Sequence, residues 1–103
     1  MAHAVVYSRR ALRDLERILR YISEDGRPAN ARVFTQAIVA KCEGLSVAPH
    51  QGTRRDDLAP GLRTTGFRRQ VTIAFRILGQ TVLIAGIYYG GRSVERDSRQ
   101  EVT

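Results

Sequence analysis

Apolar and polar positions change period along the chain, and the changes mark out its elements. Ala4-Val5-Val6-Tyr7 is a short β-prone run, and Ser8 behind it is a good N-cap, so a strand should lead straight into a helix. From Arg9 to about Glu24, a turn of ~100° per residue gathers Ala11, Leu12, Leu15, Ile18, Leu19 and Ile22 in one arc. Arg9, Arg13, Arg17 and Arg20 fall together on the far side, with Asp14 and Glu16 at ion-pair spacing to part of that stripe. Asp25-Gly26-Arg27 breaks the pattern, and Pro28 suits the first turn of a second helix expected to run to about Val47. In it Ala31, Phe34, Ile38, Cys42 and Leu45 share a face, so the two helices can close as an antiparallel hairpin ended by Pro49.

The period then shortens. His50 to Pro60 is polar and turn-rich and reads as a loop with one ordered turn. Leu62 to Thr65 suits a short strand, and Arg69 to Leu78 alternates with Val71, Ile73, Phe75 and Ile77 on one face. Gly79-Gln80 is a hairpin signal into Thr81–Tyr89, and Gly90-Gly91 ends the meander. The expected order is β-α-α-β-β-β: an α+β domain with a helix hairpin packed on one face of a small, mainly antiparallel sheet. The first strand should join the meander, since so short a strand has no other way to satisfy its backbone groups. One domain over residues 1–92 is expected, with 93–103 as a loose charged tail.

Composition narrows the function classes. The 103 residues are 43% hydrophobic and 26% charged, enough for one modest core. No apolar run approaches the ~18 residues of a membrane span. With no signal-peptide pattern at Met1-Ala2-His3-Ala4, a cytoplasmic location is expected. Seventeen basic residues against ten acidic give a formal charge of +7, and every basic residue but Lys41 is arginine. Such a field favours an anionic partner, and arginine suits bidentate contact with carboxylate or phosphate.

Candidate chemistry is sparse. His3, His50 and Cys42 have no neighbours at ligand spacing, so no metal site is expected, and no cofactor. Cys42 sits in an apolar helical pattern and reads as a small buried hydrophobe. Asp56-Asp57 reads as a turn-forming pair. The loop and meander carry Arg54, Arg55, Arg63, Arg68, Arg69, Arg76 and Arg92, and with Tyr88 and Tyr89 these can line a groove for phosphates and a stacked base. Arginines stabilise a scissile phosphate but carry protons poorly at neutral pH, so a ribonuclease here would lean on a tyrosine.

These pieces, in this order, resemble the ParE-type toxins of the ParE/RelE superfamily along nearly the whole chain. The resemblance is carried by the helix pair with Leu12, Leu15, Ile18, Ile22 and Phe34. It continues through Pro49-His50-Gln51-Gly52 running into Asp57-Leu58-Ala59-Pro60-Gly61-Leu62-Arg63, and through the apolar runs Val71 to Ile77 and Val82 to Arg92. Where such toxins often carry a histidine before a closing Gly-Arg, this chain has Tyr88-Tyr89-Gly90-Gly91-Arg92. The resemblance implies the toxin of a two-gene type II module that inhibits DNA gyrase by binding and is neutralised by a ParD-like antitoxin. Direct contact with nucleic acid is then secondary. The alternatives are a ribosome-dependent messenger-RNA endoribonuclease of the RelE type, and a non-toxic relic that only binds antitoxin. Arg9, Arg13, Arg17 and Arg20 are the expected antitoxin-binding residues. Arg63, Arg68, Arg69, Tyr88, Tyr89 and Arg92 are the target-binding candidates, and Arg63, Arg76, Tyr89 and Arg92 would serve a ribonuclease.

Overall fold

The structure is a computed structural model that describes residues 2–24 and 28–90. Strand β1 (Ala4–Tyr7) leads into α1 (Arg9–Glu24), and α2 (Pro28–Glu43) follows, closing in a single 3-10 turn over Gly44–Ser46. Strands β2 (Thr53–Arg54), β3 (Leu62–Phe67), β4 (Val71–Leu78) and β5 (Thr81–Tyr89) complete one sheet of order β1-β5-β4-β3-β2. β1 lies parallel to β5, and the other pairs are antiparallel. The α+β layout and the helix hairpin are as the sequence implies.

Ser8 joins sheet to helix. Its Oγ accepts the N–H of Ala11 at 3.0 Å and donates to the carbonyl of Ala85 at 2.9 Å, so the N-cap also ties α1 to β5. The main core lies between hairpin and sheet, where Ala11, Ile18, Ile38, Cys42 and Leu45 meet Val71, Ile73, Phe75, Val82, Ile84 and Ile87. A smaller cluster of Leu62, Ala74 and Tyr88 sits on the opposite sheet face, partly covered by Leu58 and Ala59 of the loop.

Four local expectations change. α2 stops at Glu43, not near Val47, because Gly44 is a poor helix former and the backbone tightens there. Thr53 and Arg54, expected in a loop, pair with Thr64 and Arg63 as a two-residue edge strand, too short to leave a period. β3 runs on to Phe67 and β4 starts at Val71, because residues 68–70 make the connecting turn. The arc of α1 also turns: Leu12 and Leu19 are 50% and 36% exposed, whereas Asp14 is only 4% exposed.

β5 carries a bulge. Ala74 faces Gly86 and Phe75 faces Ile84, which leaves Ala85 without an opposite residue. The side chains change parity there, so Val82 and Ile84 before it and Ile87 after it all reach the helix side. Tyr89 follows Ile87 to that side and Tyr88 goes to the other.

Candidate interaction surfaces

The bulge decides what the basic residues and tyrosines can do. Residues opposite one another in a sheet share a face. Arg76 faces Leu62 and Leu83, on the side away from the helices. Arg63 faces Phe75, on the helix side, and its guanidinium donates to the carbonyls of His50 at 2.9 Å and Gln51 at 3.4 Å. It therefore buttresses the loop after α2. Tyr89 is also on the helix side, edge-on to Tyr21 and Phe34 at centroid distances of 5.8 and 5.7 Å. Tyr88 lies on the open face over Gly86, beneath the guanidinium of Arg10 at 5.5 Å from its ring centre. Arg63, Arg76 and Tyr89 are thus not brought together, and Arg92 lies outside the described residues. On the open face Arg76 stands with Tyr88 in place of Tyr89. Its buried Nε has no hydrogen-bond partner.

The loop holds itself in order. Asp56 accepts the Gly61 N–H at 2.9 Å and pairs with Arg54, while Asp57 pairs with Arg55. The Gly61 N–H, with Arg54 behind it, holds the Asp56 carboxyl below the ordinary carboxylate range; the Arg55 guanidinium does the same for Asp57. The acidic pair is turn architecture, as the sequence suggests. Burial, with Glu43 adding to it, pushes the Cys42 thiol up to about 12, and Tyr7, half-buried and donating to Glu43 at 2.8 Å, is raised above the ordinary phenol value. Neither is poised to react at neutral pH. Among the described residues no group of His, Cys, Asp and Glu could hold a metal ion.

Among the described residues, two surfaces stand out as open to a partner. The first is a groove of 320 Å³ along the outside of the helix hairpin, lined by Leu15, Glu16, Leu19, Thr35, Gln36 and Val39. It exists because α1 turns toward Asp14 and leaves Leu12 and Leu19 in solvent. Arg9, Arg13 and Arg20 are exposed on the outer side of α1, while Arg17 leans toward Asp14 at 3.6 Å. The second surface lies around Tyr21, Phe34 and Tyr89, with Arg68 in its wall and against the Phe67 ring at 4.9 Å. Sequence periodicity had no means of finding either groove, since both depend on which way α1 faces.

A helix hairpin on one face of a mixed five-stranded sheet, with an apolar groove beside exposed arginines of α1, has the RelE/ParE architecture. The family model described as the ParE toxin of the type II toxin–antitoxin system parDE matches residues 5–94, and the chain belongs to that family. A solved chromosomal ParDE toxin–antitoxin system from P. aeruginosa is similar to it at 27% identity and a TM-score of 0.75, over 86% of this chain and 97% of that one. The RelBE2 toxin–antitoxin complex of Mycobacterium tuberculosis matches at 21% identity and a TM-score of 0.60, over 86% and 99%. The isolated RelE toxin of E. coli shares the fold at 12% identity and a TM-score of 0.64, over 99% and 100%. Comparison with curated sequences gives no match.

Proposed function

We propose that this ParE-type toxin acts in the cytoplasm by binding DNA gyrase, and that a ParD-like antitoxin neutralises it by laying an amphipathic, acidic segment along the groove of the helix hairpin. The reading of a binding toxin rests on one observation above the others: Arg63 and Arg76 are on opposite faces of the sheet, and Tyr89 is packed among Tyr21 and Phe34. A ribonuclease of this kind needs phosphate-binding cations and a proton carrier around one scissile bond. Their dispersal speaks against RNA cleavage and for inhibition through contacts alone.

The antitoxin reading draws on the apolar groove, on the formal charge of +7, and on the arginines that border α1. An acidic amphipathic helix would bury Leu12, Leu19 and Val39 and meet the arginine rim with its carboxylates. Among the described residues no helix is long and apolar enough to cross a membrane.

Purified toxin, released from its antitoxin, is to be added to a gyrase supercoiling assay and to a ribosome-programmed messenger-RNA cleavage assay. Inhibition of supercoiling with intact message is the expected result. Cleaved message with unaffected gyrase would replace this reading by the ribonuclease one, and no effect in either assay would favour a relic that only binds antitoxin.

A further inference from the structure

Arg68 and Arg69 occupy the left-handed backbone region, with φ of 50° and 61°. Glycine or asparagine meets that requirement of a hairpin turn at little cost, whereas a long L side chain is strained there. Two strained arginines in succession are a poor choice for a turn that has only to connect β3 to β4. Backbone strain of this kind tends to accumulate where a side chain is needed at a given place. Neither arginine forms an ion pair with a carboxylate among the described residues.

Their position gives them a use. Phe67 and Val71 flank the turn, and Val71 faces Tyr89, so the turn ends the sheet beside the end of β5. Next to it is an open groove of 390 Å³ whose walls include Tyr21, Val33, Phe34, Arg68 and Tyr89. Tyr21 and Val33, both in its walls, are 64% and 63% exposed, so the hollow presents apolar surface to solvent. Tyr21 and Tyr89 also wall a second hollow of 280 Å³ on the side of Arg17. An apolar seat therefore has a cation in its wall at the turn, Arg68, with the exposed Arg69 next in sequence, while on its far side Arg17 is paired with Asp14 at 3.6 Å. It shares no lining residue with the hairpin groove.

We propose that this patch seats an acidic segment of the target protein, with one aromatic or aliphatic side chain entering between Tyr21, Val33 and Phe34 and carboxylates meeting Arg68 and Arg69. The inference rests on the toxin reading but not on the identity of the target. Charge complementarity fixes the sign of the partner. The rings favour peptide over nucleic acid: Tyr89 meets Tyr21 and Phe34 at 60° and 76°, an edge-to-face cluster, and Arg68 lies against the Phe67 ring. A base needs a free ring face, while an apolar side chain needs only the gap between rings.

The strain supplies a test that a merely structural turn would fail. In R68N/R69G the left-handed backbone is relieved, so the melting temperature should rise as binding falls. The toxin in complex with its antitoxin is titrated with a short labelled peptide of Asp and Glu around a Phe-Leu pair, and with oligothymidylate of similar length. The peptide should lose at least about tenfold in affinity in R68N/R69G and likewise in V33D, which leaves the turn alone. Affinity for the antitoxin should stay within about twofold, and growth arrest on induction without antitoxin should be lost. Unchanged peptide affinity in both variants would overturn the proposal. So would weakened antitoxin binding, which would assign the patch to the antitoxin, or tighter binding of oligothymidylate that the variants abolish. If the peptide binds as expected but gyrase is unaffected, the choice of gyrase fails and the patch stands.

Discussion

The carboxylate of Asp14, on α1, accepts the backbone N–H of Ile87, on β5, at 2.9 Å. β1 pairs with β5 only as far as Ile84, so the outer edge of β5 beyond that point has no neighbouring strand among the described residues. Asp14 fills one position of the missing strand from the helix above. Arg10 and Arg17 stand 3.7 and 3.6 Å from its oxygens, which lets a carboxylate remain 4% exposed without isolation.

Asp14→Ala should therefore destabilise the fold by about 1–3 kcal/mol, the usual cost of leaving a buried donor unsatisfied. Asp14→Asn should cost less, because its amide oxygen can still accept the Ile87 N–H. Urea unfolding followed by circular dichroism measures both. Equal losses in the two variants would mean that charge, and not the strand cap, is what Asp14 contributes.

Gly86 is fixed by its neighbour on the open face. A Cβ there would lie 3.0 Å from the Tyr88 Oη and 3.1 Å from its Cε2, so the ring would have to lift. Lifting it also breaks its packing beneath Arg10. Gly86→Ala should cost about 1–3 kcal/mol, as overpacking commonly does. Tyr88→Ala removes the obstacle, so the double variant should be less destabilised than the sum of the single ones. Strict additivity in a double-mutant cycle would place the strain elsewhere.

Stability should fall in alkali for a reason that can be signed. The Cys42 thiol is raised from 9.0 to about 12 in the folded protein, and the Tyr7 phenol is raised as well. Both groups favour their neutral forms when folded, so their contribution is fully present below the unfolded values. It is lost as pH rises through the folded ones. The urea midpoint should decline from about pH 9 upward, and Tyr7→Phe should make the decline shallower. A midpoint flat to pH 11 would contradict the burial of these groups. On the acid side, the depressed Asp56 carboxyl should release the Gly61 amide only below the ordinary carboxylate range, read from its amide shift.

How far the chain could be read from its residues differed between fold and surface. The element order was legible because period changes are local: Ser8, Pro28 and Gly79-Gln80 mark boundaries where the structure has them. The bulge at Ala85 was not legible, since an extra residue in a strand leaves an apolar run looking continuous. That one residue exchanges the places of Tyr88 and Tyr89, and with them the choice of tyrosine on the open face. Asp14 misled for a related reason. Its type says surface, and only the unpaired Ile87 N–H, a tertiary fact, draws it inside. Once Asp14 turns inward, Leu12 and Leu19 turn outward, so one edge of the apolar arc is left in solvent beside a groove while Ala11 and Ile18 stay in the core.

The groove and the arginines beside it should act on different steps of antitoxin binding. Leu19 lines the groove and would be covered by a bound helix, so Leu19→Asp removes an apolar anchor and places a charge where water is excluded. Such a change acts mainly after encounter, and dissociation should quicken by about thirtyfold or more, the equivalent of a hot-spot loss of about 2 kcal/mol. Arg9, Arg13 and Arg20 are exposed on the outer side of α1 and would remain wet at the rim. Replacing all three by glutamine should slow association several-fold at low salt and flatten its salt dependence, with dissociation little changed. Arg17 is the internal control, because it already leans on Asp14 at 3.6 Å and should contribute less to steering than the other three. Stopped-flow association and surface-based dissociation, run at two ionic strengths, separate the effects. Association unmoved by the triple substitution would remove the stripe from the path of the antitoxin, and unchanged dissociation in Leu19→Asp would remove the groove from its seat.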